Sequence, residues 1–179
     1  RRTSSSARVS AEEDVRRAFA IQRDTYQVHA LLAEAAAGAR GYALTGQERF
    51  LEPYRKAEAE LPQTMARLDS VIRDPEVRQL FEDLRILTAR KRDGLVLIVK
   101  LGDGKGDPAA LRNALVANKQ VLDMMREKIG SIQHREKVLL AQRQGRVDQQ
   151  RSRFLLLTTI SAIVGLLGSF VAVFLFSTG

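Results

Sequence analysis

The sequence has no cysteine and no tryptophan, and it carries only four prolines and two histidines. Without cysteine there is no disulfide and no thiolate metal site, and the redox compartment stays open. His29 and His134 are too few and too far apart in sequence to suggest a zinc centre, so neither metal nor other cofactor is expected. Aromatic residues make up 6% of the chain, and no basic stretch is interleaved with them in the manner of a single-strand-binding surface. No nucleic-acid partner is expected, although the net charge is +8. The basic residues are spread along every segment among Glu and Asp, the pattern of solvated helix faces.

What the sequence does have is Ala, Leu, Arg, Glu and Gln in abundance, all good helix formers, which predicts an all-α fold. One stretch carries no charge. "FLLLTTISAIVGLLGSFVAVFLF", Phe154 to Phe176, is about 23 residues and roughly 35 Å of helix, enough to cross a ~30 Å hydrocarbon core. It is expected to be a transmembrane helix with membrane lipid as a partner. Ser161, Gly165 and Ser169 recur every four residues in it, with Ala172 nearby, a spacing that permits close helix–helix contact in lipid.

Ahead of that stretch the helix breakers fall in three places: Gly46, Asp74-Pro75, and "GDGKGDP" from Gly102 to Pro108. Four helical segments result. The first is expected from about Ser10 to Thr45, with Ser10 and Glu13 forming a capping box and residues 1–9 forming a juxtamembrane linker. Ile21, Thr25, Val28, Leu32, Ala35, Ala39 and Tyr42 form its apolar seam. The second carries Phe50, Tyr54, Ala57, Leu61, Thr64, Leu68 and Val71, with Pro62 inside it removing one backbone donor. The third carries Val77, Leu80, Phe81, Leu84, Leu87, Leu95 and Ile98. The fourth opens with Asp107 as cap and Pro108 at the first helical position; its seam is Leu111, Leu115, Asn118, Leu122, Met125, Ile129, Ile132 and Leu139. "AQRQGRVDQQRSR", Ala141 to Arg153, holds no proline, so this helix is expected to run on into the apolar stretch.

Segments one and four, about 36 and 45 residues, give roughly 54 and 67 Å of helix, against nearer 40 Å for the middle two. The expected architecture over residues 10–153 is an up-down-up-down four-helix bundle with long first and fourth helices. Gly46 and the Gly102–Pro108 loop then meet at the tip furthest from the membrane.

Catalytic patterns are absent. "GDGKGDP" fails as a phosphate loop, because Gly106 rather than Ser or Thr follows Lys105. It also fails as a calcium loop, because the closing glutamate is replaced by Ala114. His134 reads as a surface histidine and His29 as a satisfied bundle histidine. No nucleophile elbow or carboxylate pair is present, and no enzymatic activity is expected of this chain by itself.

"RGYALTGQERFLEPY", Arg40 to Tyr54, resembles the signature of the third class of cyclase/histidine-kinase-associated sensory extracellular domains (CHASE, type three). The matching residues are Arg40, Gly41, Tyr42, Leu44, Thr45, Gly46, Phe50, Leu51, Pro53 and Tyr54. The resemblance extends more loosely through all four segments and into the terminal span. It implies an extracytoplasmic four-helix bundle between two membrane spans of a bacterial inner membrane, feeding an output domain that is most often a histidine kinase, otherwise a diguanylate cyclase or chemoreceptor module. The partners expected are a second copy of the chain, paired through bundle and transmembrane helices, and a small-molecule or protein ligand of unknown identity. No span precedes Arg1 and nothing follows Gly179, so the chain is expected to be a piece cut just inside each end. The distal tip, where Arg40, Tyr42, Thr45 and Arg49 are expected to meet the loop from Asp103 to Asp107, is the region to inspect for a ligand. A different reading stays open: Arg151 and Arg153 flank the span on the bundle side, which by the positive-inside rule fits a tail-anchored cytoplasmic helical scaffold. A third reading, a basic bundle gripping nucleic acid, lacks the aromatic interleaving noted above.

Overall fold

The computed structural model describes the backbone of residues 2–102 and 107–177, and the surroundings of side chains over residues 9–102 and 107–143. Four α-helices account for nearly all of it: α1 Arg2–Thr45, α2 Glu52–Val71, α3 Pro75–Leu101 and α4 Pro108–Ser177. A single 3-10 turn, Glu48–Leu51, leads into α2. The chain divides into two compact units, residues 1–138 and residues 139–179. The first holds the helical bundle; the second is helical backbone up to Ser177.

Each break has a local cause. Gly46 has φ of 67°, and its N–H bonds the Tyr42 carbonyl at 2.7 Å, the left-handed termination that only glycine adopts without cost. Asp74 caps α3 by accepting the N–H groups of Glu76 and Val77, both at 3.1 Å, and Pro75 takes the first turn, where its missing donor is not needed. Asp107 accepts the Ala109 N–H at 3.0 Å at the start of α4. The end of α2 is closed from outside: Arg78 donates to the Asp69 and Ile72 carbonyls at 3.0 and 3.1 Å and pairs with the Asp69 carboxylate. That guanidinium satisfies carbonyls that the helix leaves free and places a cation at its negative end.

Cross-helix bonds fix the topology. Asp24 meets Arg67 and Gln27 meets Glu60, so as numbers rise along α1 they fall along α2. Glu58 and Arg92 join α2 to α3 in the same sense. Asp83 with Lys128 and Asp74 with Arg135 join α3 to α4 likewise, and Gln133 reaches Thr25 of α1 at 3.3 Å. Consecutive helices therefore run antiparallel around one core, with α1 beside α4.

The core is built from steps of three and four. On α1 it is Ile21, Val28, Leu31, Leu32, Ala35, Ala39 and Tyr42; on α2, Ala57, Leu61 and Leu68; on α3, Val77, Phe81, Leu84, Leu95 and Ile98; on α4, Ala114, Val121, Met125, Ile129 and Ile132. Three details differ from the sequence expectation. Ser10 lies inside α1, which already begins at Arg2; no Gly or Pro upstream stops the helix, so Ser10 is not its cap. On α3, Leu80 and Leu87 are only half-buried, and Thr88 and Lys91 take the core positions. On α4 the first half of the seam is Ala114, Asn118, Val121 and Met125, leaving Leu111, Leu115 and Leu122 half-buried at its margin. Pro62 sits on the exposed side of α2, where the helix continues through it.

The threonines and the aspartate inside this core have their hydrogen bonds met. Thr25, Thr64 and Thr88 each donate to the carbonyl four residues back, at 2.7, 3.0 and 2.8 Å, the usual way a threonine is buried on a helix. Asp24, 1% exposed, accepts from Arg23 at 2.9 Å and from Arg67 at 3.3 Å. Burial works to raise its carboxyl, but the hydrogen bonds and charges of the two arginines outweigh that and hold it below the usual carboxylate range.

Lys91 is the exception to charge pairing. It is 1% exposed and donates to the Asn118 backbone carbonyl at 2.8 Å and to the Asn118 side-chain oxygen. Asn118 returns a bond from Nδ2 to the Lys91 carbonyl at 3.0 Å. A Cβ on Gly94 would stand 2.4 Å from Asn118 Nδ2, so glycine at that position leaves the amide its place. Burial, with the like charge of Arg40 added, pushes the Lys91 ammonium down to about 8. A neutral amine keeps two N–H groups, as many as the two Asn118 acceptors, so the proton can leave without breaking either bond. Because the native ammonium is more acidic than the unfolded one, stability rises with pH between about 8 and the unfolded value. Asn118→Leu, which removes the side-chain acceptor and leaves the buried ammonium only the backbone carbonyl at that position, is expected to cost about 1–3 kcal/mol, whereas Lys91→Met with Asn118→Leu is expected to be nearly neutral or slightly stabilising. Urea unfolding at pH 8 and pH 10 checks both, and the rise between those pH values is expected to shrink in the double variant.

Candidate functional site

The motif from Arg40 to Tyr54 forms the corner between α1 and α2, and two glycines bring the strands of that corner together. A Cβ on Gly38 would stand 2.3 Å from the Phe50 carbonyl oxygen, and one on Gly41 would stand 2.7 Å from the Phe50 ring. Phe50 thus lies close against α1 at two glycines, and the same added Cβ on Gly38 would stand 3.4 Å from Pro53 Cδ. Leu51 and Tyr42, on either side of the corner, are buried. Thr45 locks the exit from α1: its hydroxyl donates to the Gly41 carbonyl at 2.7 Å and accepts the Gln47 N–H at 3.2 Å. Tyr54 is half-buried; burial and the neighbouring Glu58 charge raise its phenol above the usual value.

The outer surface of the corner is polar with one apolar exception. Arg40, Thr45 and Arg49 are exposed, and the Arg49 guanidinium lies 5.3 Å from the centre of the Phe50 ring. Leu44 is 75% exposed at this end. Tyr42 is in the core, so Arg40, Thr45 and Arg49 present the solvent-facing chemistry without it. The far end of α3 reaches the same place: a Cβ on Gly102 would meet the Ala43 Cα at 2.8 Å. Asp107 is exposed and caps α4. Asp103 lies outside the described residues, as do the side chains of Ser161, Gly165 and Ser169.

A second set of groups, unmarked by any motif, lies deeper. His29 on α1 is half-buried with Nε2 fully enclosed, and that nitrogen has no hydrogen-bond partner. The expectation of a satisfied histidine is therefore corrected: burial, then the like charges of Arg126 on α4 and Lys91 on α3, hold the imidazole below its ordinary value, and neither cation can accept a hydrogen bond. The signal in the sequence was the run Thr25, Val28, His29, Leu32, which places His29 beside the seam, but only the register between α1 and α4 shows what it meets.

Two shallow grooves run along the α3–α4 face. One, about 710 Å³, is lined by Glu76, Leu80, Glu127, Ser131, His134 and Arg135. The other, about 330 Å³, is lined by Asp83, Ile86, Leu87, Arg90, Met124 and Lys128. The half-buried Leu80 and Leu87 form part of their floors. Among the described residues no group of three metal-ligating side chains is present, and no helix is long and apolar enough to cross a membrane. The apolar stretch 154–176 is helical in its backbone, and its side chains lie outside the described residues.

A helical bundle whose first corner carries this glycine–aromatic signature defines a class of sensory domain, and the comparisons agree. Residues 11–146 match the CHASE3 domain family, and the chain belongs to it. Curated protein sequences give no match. Among solved structures, one described as "Periplasmic sensor domain of sensor histidine kinase" superposes with a TM-score of 0.68 at 18% identity, covering 79% of this chain and 95% of its own. That likeness is one of fold.

The corner makes opposite demands on its glycines and on an exposed one. Gly38→Ala is expected to destabilise by about 1–3 kcal/mol, since the new methyl meets backbone that has little room to move. Gly130→Ala, on the exposed side of α4 with nothing within 4 Å of an added Cβ, is expected to stabilise by roughly 0.5–1 kcal/mol through helix propensity alone. Midpoints of chemical denaturation for the two variants provide the check.

Proposed function

We propose that the chain is the extracytoplasmic sensor domain, with its second transmembrane span, of a bacterial transmembrane signalling receptor. The output domain we favour is a histidine kinase, with a diguanylate cyclase or chemoreceptor module as the other choices. The observation that carries this reading is the match to the CHASE3 family over residues 11–146, in a bundle whose fold is also that of a protein described as a periplasmic sensor domain. The uncharged stretch from Phe154 to Phe176 supports the span, and the helical backbone of α4, Pro108–Ser177, supports a mechanical route from bundle to membrane. Signalling then consists of binding, at or near the exposed tip around Arg40, Thr45 and Arg49, that shifts packed helices by about 1–2 Å. No residue of the bundle has a catalytic role in this reading, and the functional unit is a homodimer in the inner membrane with the bundle on the periplasmic side.

The positive charges of Arg151 and Arg153 favour the competing reading, a tail-anchored cytoplasmic scaffold. A reporter placed in the loop between α3 and α4 separates the two. Alkaline phosphatase, which is active only outside the cytoplasm, is expected to be active there, and a fluorescent protein that matures only inside is expected to be dark. The reverse pattern would overturn the receptor reading.

A further inference from the structure

A bundle helix ordinarily keeps its charges on the face turned from the core, and one stretch of α1 does not. From Thr25 to Ala39, "TYQVHALLAEAAAGA", the only charged side chain is Glu34, in a chain that is 28% charged. Val28, Leu31, Leu32, Ala35 and Ala39 are buried in the core. The opposite side carries Tyr26 and Ala37, both exposed, with Ala30 and Ala33 half-buried between them. A helix that lacks a polar side is one that is covered all round. The outer row also continues past this stretch. Phe19, Tyr26 and Leu44 are 67%, 70% and 75% exposed, more than any other large hydrophobic side chain among the described residues. From Phe19 to Tyr26 is about two helical turns and from Tyr26 to Leu44 about five, so all three share one side of α1.

Spacing and charge say what covers this row. Between Phe19 and Ala37 it advances in steps of four and three, through Arg23, Tyr26, Ala30 and Ala33, the repeat by which two helices wind together. Arg23 is the one charge on it, and Asp24 of the same helix meets that charge at 2.9 Å. In a parallel pair each flank of the row faces the opposite flank of the other copy. Here Val15, Gln22 and Ala36 would face Ala20, Gln27 and Gly41, none of them charged. The one ionisable pair across the flanks, His29 with Glu34, is not of like charge. The row therefore tolerates its own copy, which a charged outer face would repel. The four rings of two Phe19 and two Tyr26, each about two-thirds open, bring roughly 400–700 Å² to such a contact. That is about half of what the smallest specific interfaces bury, before Leu44 and the alanines add their share.

We propose that the outer face of α1, along Phe19, Tyr26, Ala30, Ala33 and Ala37, is the surface on which a second copy of this chain docks, its own α1 lying parallel and in register about a two-fold axis. The alanines let the two backbones approach, and the rings of Phe19 and Tyr26 close the end of the seam where α1 begins. The parallel direction rests on the sensor reading. Gln133 of α4 bonds Thr25 of α1 at 3.3 Å, so α1 starts at the end of the bundle from which α4 runs on toward the uncharged stretch. Two copies held in one membrane present α1 the same way up. The contact is isologous, each residue of the row meeting its own counterpart, and it closes at two copies.

The chain has no cysteine of its own, which makes the experiment direct. Single cysteines are placed on the row, Ala30→Cys, Ala33→Cys and Ala37→Cys, and on exposed positions of other helices, Ala89→Cys on α3 and Ala117→Cys on α4. The full chain is oxidised in isolated membranes of the expressing cells, and disulfide-linked dimer is read by non-reducing electrophoresis and mass. A disulfide needs Cβ atoms about 3.5–4.5 Å apart, so the yields on the row are expected to exceed those at Ala89 and Ala117 by about tenfold. Ala37→Arg, a charge added at an exposed position, is expected to abolish cross-linking through Ala30→Cys while leaving the urea midpoint unchanged. Yields highest at Ala89 or Ala117, equal yields at all five positions, or an adduct with the mass of another protein would each overturn the proposal. The topology test stands apart. Failed cross-links with the reporter outside the cytoplasm remove this seam alone, and cross-links on the row with the reporter inside remove only the sensor reading.

Discussion

A lysine with no counter-ion, enclosed between α3 and α4, constrains everything around it. Bringing an ammonium out of water is costly unless its donors are met. Here they are met by both oxygens of a single residue, Asn118, whose amide in turn needs the space above Gly94. Sliding α3 against α4 by one turn would strand all three groups, so the pair selects one register. The apolar residues above and below, Leu84 and Leu95 on α3 and Ala114 and Met125 on α4, would accept other registers far more readily. Specificity here comes from the polar contact and bulk stability from the apolar ones.

The overall plan was legible in the sequence because it is written in local chemistry. A glycine that ends a helix, an aspartate–proline pair that starts one, and a three–four rhythm of apolar residues each act over a handful of positions. Gly46, Asp74-Pro75 and Asp107-Pro108 consequently fall at the breaks they mark. The start of α1 was misplaced because Ser10 has the chemistry of a cap but nothing before it ends the helix. The core positions of Lys91, Thr88 and Asp24 were hidden for a different reason. Each is polar, so its place inside depends on a partner that compensates it: for Lys91 a residue on the next helix, for Asp24 an arginine on α2, for Thr88 its own helix backbone. The half-turn error on α4 has the same origin, since Leu111, Leu115 and Leu122 outrank Ala114 and Val121 in hydrophobicity while the register follows Asn118.

The candidate site was legible to a smaller degree. The motif at the α1–α2 corner stood out as a pattern, and its glycines are explained by Phe50 lying against bare backbone. Its exposed residues say where a partner could touch, and the buried Tyr42 shows that part of the signature serves packing. His29, by contrast, belongs to no motif. The charges that act on it stand on α3 and α4, and no local pattern along α1 encodes them.

The clamp by which Arg78 closes α2 has a bearing on how the chain assembles. It ties the end of one helix to the first turn of the next across a connection of only three residues, Ile72 to Asp74. Short loops lose little entropy on closure, and this one carries a cap at Asp74 and a guanidinium bridge within a few residues of each other. The turn between α2 and α3 is thus closed by bonds among residues 69–78 themselves, whatever packs on the helices that leave it.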